Sequence, residues 1–99
     1  MNITKKSEGS QTTLELDGRV DTNTSPKLQE AILDALKTAK LLVLDFSKVG
    51  YLSSAGLRAL LIGQKTAAGK GAKMELHSPA PTVMTVLDTV GFSKMLTIT

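Results

Sequence analysis

Apolar positions along this chain switch between two spacings, and each switch marks an element. Across Thr12 to Leu16, Leu14 and Leu16 alternate with Thr13 and Glu15, the period of a strand with one exposed face. Asn2 to Lys6 reads as a short edge strand before it, with Glu8-Gly9-Ser10 as the hairpin turn. Asp17 to Pro26 is polar and predicts a loop. The period then changes: Leu28, Ala31, Ile32, Ala35, Leu36 and Ala39 form one stripe of an amphipathic helix, opposite Lys27, Gln29, Glu30, Asp34 and Lys37. Ser25 is the candidate N-cap, with Pro26 at the first helical position and Thr24 as the competing cap.

The stretch from Leu41 to Leu61 organises the rest. Leu41-Leu42-Val43-Leu44 is a continuous apolar run, which predicts a strand buried on both faces and ending at Asp45-Phe46. Ser47-Lys48-Val49-Gly50 reads as a turn, and Tyr51-Leu52-Ser53-Ser54 leads into a helix from Ser54 to Ala68 that carries Leu57, Leu60 and Leu61. Gly69-Lys70-Gly71 stops that helix. Lys73 to His77 is a short strand with Met74 and Leu76 on one face. Ser78-Pro79-Ala80-Pro81 opens a third helix striped by Val83, Val86, Leu87 and Val90; Gly91 ends it, and Leu96 to Thr99 is the last strand.

The order β-β-α-β-α-β-α-β defines an α/β fold: a small mixed, largely parallel β-sheet with interspersed helices, joined by right-handed crossovers. Residues 1–99 form a single domain. In a sheet this small all helices can share one face, which leaves the other partly open. Functional loops in such sheets gather beyond the C-terminal strand ends. That rule brings Asp21, Thr22, Asn23 and Thr24 toward Ser53 and Ser54.

Composition then removes function classes. The net charge of +3 is spread along the chain and aromatics are few, so no nucleic-acid partner is expected. With no cysteine and only His77, there is no thiol chemistry, no catalytic triad and no metal cluster. Asp45 and Asp88 are too isolated for an acid/base pair, and Met84 and Met95 read as apolar fillers. Ser53-Ser54-Ala55-Gly56 is not a nucleophile elbow, and no glycine-rich phosphate loop exists, so neither enzyme activity nor a cofactor is expected. No apolar run reaches the length of a membrane span and no signal segment is evident; a cytoplasmic protein with no membrane partner is the expectation.

What remains is the start of the helix at Ser54. Its first amides lack intrahelical partners and accept either a hydroxyl cap or an anion such as phosphate. Gly56 fits a demand for close backbone approach. Asp21 is open between a turn role and a partner surface, and Arg58 between a solvated side chain and a partner salt bridge.

The segments Gly18-Arg19-Val20-Asp21-Thr22, Leu42 to Ser47, Tyr51 to Leu57, and Ser78-Pro79 through Val90-Gly91-Phe92 together resemble a STAS domain of the bacterial anti-sigma factor antagonist type. The resemblance spans the whole chain. It implies binding to an anti-sigma factor that is also a serine kinase, release of a sigma factor and so transcription regulation, loss of the complex on phosphorylation, and resetting by a serine phosphatase. Family members commonly read Asp-Ser-Ser/Thr-Gly at the helix start. Aligned on Gly56, Ser54 takes the phosphoacceptor position, Ala55 the second hydroxyl position, and Ser53 the place of the Asp. The implied partner surface is Asp21, Thr22, Asn23, Thr24, Ser53, Ser54, Gly56, Leu57 and Arg58, on a monomer or weak dimer. An unmodified adaptor subunit of a signalling or transport-linked complex is the alternative.

Overall fold

The computed structural model describes residues 1–99. The chain runs β1 (Asn2–Glu8), β2 (Gln11–Val20), α1 (Ser25–Ala35), β3 (Leu41–Leu52), α2 (Ser54–Gly69), β4 (Lys73–His77), α3 (Pro81–Thr89), a 3-10 turn at Phe92–Lys94, and β5 (Thr97–Ile98). The five strands lie in sequence order. β1 pairs antiparallel with β2, and every later pairing is parallel. The expected mixed, largely parallel sheet with interspersed helices is the architecture found.

Sequential parallel strands joined by right-handed crossovers place every helix on the same side of the sheet. Burial agrees: Leu14, Leu16, Leu42, Leu44, Phe46, Met74 and Leu76 are buried, whereas their neighbours on the other face are not. Leu41 and Val43 are only half-buried, so the central strand is buried on one face rather than both. Leu28, Ile32, Leu60, Val83 and Leu87 close the core from the helical side. The helices α1 and α2 approach closely at Gly63, where a Cβ would stand 2.7 Å from Ile32 Cγ2.

The predicted turn at Ser47–Gly50 is strand, and the predicted loop from Asp17 begins only after Val20. Two register shifts explain both corrections. Glu15 pairs with Asp45 but Asp17 with Lys48, and Gly18 with Val49 but Arg19 with Tyr51, so β3 carries an extra residue at each step. Its buried positions therefore run Leu42, Leu44, Phe46, Val49, Leu52, changing from a spacing of two to three. Asp45 closes the first bulge by accepting the Ser47 amide at 2.9 Å.

Other boundaries moved less. Thr24, not Ser25, is the N-cap of α1, and Ser25 is buried with its hydroxyl donating to the Asp21 carbonyl. That helix ends at Ala35, and Ala39 is buried from the turn that follows, its amide bonded to the Ala35 carbonyl. Helix α2 stops as its glycines predict: Gly71 has φ of 72° and its amide reaches the Ala68 carbonyl, while the Ala72 amide reaches Ala67. The last strand is only Thr97–Ile98, and Met95 is 52% exposed instead of filling the core.

Candidate functional site

The loop between β2 and α1 is built by its own side chains. Asp21 Oδ1 accepts the amides of Asn23 (2.9 Å) and Thr24 (3.0 Å). The Thr24 hydroxyl accepts the Asp21 amide at 2.9 Å and donates to the Arg19 carbonyl at 2.8 Å. The Thr24 amide first, then the Asn23 amide, the Thr24 hydroxyl and the charge of Arg19, hold the Asp21 carboxyl below its ordinary range against an opposing desolvation. The carboxylate is thus engaged in shaping the loop. Thr22 and Asn23 are left exposed at its tip.

The second loop is short because β3 runs directly into α2. The Ser53 amide donates to the Val20 carbonyl at 2.8 Å, which ties the two loops together as the topology predicts. Ser53 has extended backbone and is the N-cap, its hydroxyl accepting the Gly56 amide at 3.2 Å. Ser54, the first helical residue, is exposed, and its hydroxyl has no hydrogen-bond partner within the chain. The amides of Ser54 and Ala55 have no intrahelical acceptor. The two adjacent serines divide the work: one caps, the other is free.

Gly56 is where the backbones meet. A Cβ there would stand 2.6 Å from both Leu52 Cδ1 and Val20 Cγ1, two side chains of the core. Gly56 and Leu57 are buried and offer almost no side-chain surface to a partner. Arg58 is exposed on the next turn and, with Thr22, Ser25 and Ala55, lines one end of an open groove of about 1000 Å³ that runs along α1.

Three residues join this end without any spacing in the sequence to announce them. Arg19 stacks over the Tyr51 ring, 4.3 Å from its centroid, because the second bulge sets these two side by side. Tyr51 is 43% exposed, a large apolar surface beside the serines. Thr82, at the start of α3, donates to the Gly50 carbonyl at 3.4 Å and brings a third element to the same end.

A family model described as "Mlab, STAS domain" matches residues 3–97. The chain belongs to that STAS family. Solved structures agree at the level of fold. An anti-sigma factor antagonist from Mycobacterium paratuberculosis is 22% identical with a TM-score of 0.88, over 98% of this chain and 83% of that one. Unphosphorylated SpoIIAA, the Bacillus anti-sigma factor antagonist, is 16% identical with a TM-score of 0.85, over 99% of this chain and 88% of its own. A sulfate transporter family protein from Wolinella succinogenes is 20% identical with a TM-score of 0.78, over 88% and 71% of the two chains. In this STAS domain the site therefore sits on a fold shared by anti-sigma factor antagonists and a transporter-family protein. No helix is long and apolar enough to cross a membrane.

Proposed function

We propose that this STAS domain is an anti-sigma factor antagonist, a phosphorylation-switched binding module whose acceptor is Ser54. The observation that carries the reading is the division between the serines. Ser53 supplies the cap, so the exposed Ser54 hydroxyl is not required to hold the helix. The partner is an anti-sigma factor with serine kinase activity, reset by a serine phosphatase, and the contact surface is formed by Thr22, Asn23, Ser53, Ser54 and Arg58, with Asp21, Thr24, Gly56 and Leu57 shaping it from below. Of the solved likenesses, SpoIIAA is described in both unphosphorylated and phosphorylated forms.

Phosphorylation adds about −1.5 to −2 charges and three acceptor oxygens. At Ser54 these meet the free first-turn amides and the positive end of the helix dipole, which favour the charge by roughly 0.3–1 kcal/mol when exposed. A partner packed over the same hydroxyl would instead bury a dianion without a counter-charge. Loss of the complex then needs no refolding of the domain.

A second reading is an unmodified adaptor subunit of a signalling or transport-linked complex. It is favoured by the fold shared with a sulfate transporter family protein and by Ser53 standing where the family commonly has Asp. The deciding experiment incubates the domain with ATP and the candidate anti-sigma kinase of the same genome, followed by intact mass and phosphosite mapping. The antagonist gains one phosphate on Ser54 and leaves its complex. In binding assays Ser54→Ala then stays bound and Ser54→Asp weakens. A stable complex that takes no phosphate and ignores Ser54→Asp supports the adaptor.

A further inference from the structure

At the pole opposite Ser54, the fold gathers charge that the sequence disperses. Lys40 precedes β3, Lys73 opens β4, Lys94 precedes β5 and Lys70 caps the end of α2, so all four lie at the N-terminal edge of the parallel strands. The Lys73 amide bonds the Lys40 carbonyl at 2.9 Å, which places those two side by side. The β4–β5 ladder starts at Glu75 opposite Thr97, and Met95 closes the 3-10 turn just before it, its amide bonded to the Phe92 carbonyl at 3.0 Å. The 3-10 turn packs against the end of α3 and brings in Val90.

All four lysines are exposed and none has a carboxylate within ion-pair distance; the salt bridges of the molecule involve Lys5, Lys6 and Lys37. Lys70 alone is anchored, by one bond to the Leu36 carbonyl at 3.2 Å. The nearby acids are Glu8 at the hairpin, Glu75 two residues along the same face of β4 from Lys73, and Asp88 in the last turn of α3. Among these cations lie Val90 and Met95, 48% and 52% exposed, two of the three exposed large apolar side chains of the protein.

We propose that this pole docks on an anionic lipid bilayer surface. Each cation is lysine and none is arginine. Lysine is a flexible point charge suited to a diffuse field, whereas arginine's planar fork is favoured for directed pairs with carboxylates or phosphates in a protein or nucleic-acid interface. Aromatic surface for base stacking is scarce here, since Tyr51 is at the other end and Phe92, in the 3-10 turn, is packed partly buried against the core. Stable attachment needs an apolar signal added to the basic one, and Val90 and Met95 provide it at the same edge. Docked this way, the domain turns Thr22, Ser54 and Arg58 away from the lipid, free for a partner. Sequence composition implies no membrane partner; the placement of these side chains implies this one.

The test is flotation of the full chain with vesicles of phosphatidylcholine alone or of phosphatidylcholine with one-quarter phosphatidylglycerol, at low and high salt. The anionic vesicles bind the protein at low salt and release it at high salt, and the neutral ones bind far less. Each lysine changed to glutamine lowers the partition about fivefold, so Lys40→Gln, Lys73→Gln and Lys94→Gln together nearly abolish it, and Met95→Ser weakens it severalfold. Arg58→Gln and Lys48→Gln, at the other pole, leave it unchanged. Equal binding by the triple variant, equal loss from the Arg58 variant, or no binding to anionic vesicles at low salt overturns the proposal. Tighter capture by soluble polyglutamate than by the vesicles also overturns it, in favour of an acidic protein partner. Circular dichroism of each variant keeps folding separate from docking.

Discussion

A Cβ placed on Gly56 would lie 2.6 Å from Val20 Cγ1, closer than side chains pack. The first turn of α2 is therefore pressed onto the end of β2, and the Ser53 amide bonded to the Val20 carbonyl at 2.8 Å holds it there. Gly56→Ala should lower stability by up to about 2 kcal/mol. Overpacking typically costs roughly 1–3 kcal/mol, and the better helix propensity of alanine returns about 1. The thermal midpoint of a domain this size then falls by several degrees. A melting curve that rises instead would mean that Val20 and Leu52 yield freely, and that the two loops are not rigidly registered.

The two serines should separate in stability before any partner is involved. Ser53→Ala removes the hydroxyl that accepts the Gly56 amide, at a cost of about 1 kcal/mol. Ser54→Ala removes a hydroxyl with no partner and should stay within about 0.5 kcal/mol of the parent. Urea denaturation of the pair measures both. Equal losses would make Ser54 a second cap and remove the main support for its role as a free acceptor.

Acid should act through Asp21 and Asp45, whose carboxyls both lie below the ordinary value of 3.8. At Asp21 the leading cause is the Thr24 amide, and at Asp45 the Ser47 amide. A carboxylate with a depressed folded pKa takes its proton more readily in the unfolded chain. Its stabilisation is complete above the unfolded value and is lost as pH falls through the folded one. Asp21→Asn and Asp45→Asn should therefore be less stable than the parent at neutral pH and converge with it as pH falls from the ordinary carboxylate range through the lowered folded values. Urea midpoints across that range check this; curves that stay parallel would show that neither amide cluster responds to the carboxylate charge.

Arg19 and Tyr51 should be coupled. The guanidinium lies 4.3 Å from the ring centroid on an exposed face, where such contacts contribute about 0.5–1 kcal/mol. A double-mutant cycle of Arg19→Gln and Tyr51→Leu measures the coupling in isolation. Gly50 is the unpaired residue of the second bulge, so deleting it leaves Arg19 opposite Tyr51 and Val20 opposite Leu52 in an unbroken ladder, and the coupling should survive the deletion. A coupling near zero in the parent would reduce the pair to two solvated neighbours.

These contacts show what a one-dimensional pattern can carry. Each helix was legible because its stripe is local: Leu28, Ile32 and Ala35 fall on one face at helical spacing and are buried there. The helix start at Ser53-Ser54 was legible because caps and first turns have their own residue preferences. The second half of β3 was hidden. Phe46, Val49 and Leu52 are spaced by three, a spacing no flat strand has, and only the pairing with β2 reveals that bulges restore the inward face. Gly18 and Asp17 look like turn residues for the same reason, although they continue the ladder. Lys40, Lys73 and Lys94 are far apart in the chain, and it is the parallel crossovers that return each to the same edge.

The fold itself should be indifferent to a phosphate at Ser54 and sensitive to one at Ser53. Phosphoserine installed at position 54 by genetic encoding, with no kinase required, places its charge before the free amides of Ser54 and Ala55. The domain should melt at the parent temperature or slightly above it in low salt, a gain of roughly 0.3–1 kcal/mol that fades toward about 1 M salt as the dipole is screened. At position 53 the phosphate replaces the hydroxyl that sits 3.2 Å from the Gly56 amide, in a half-buried place between the two loops, and the melting temperature should fall. If phosphoserine at position 54 unfolds the domain, release of a partner by charge and sterics alone is wrong, and the switch would have to work by melting the first turn of α2.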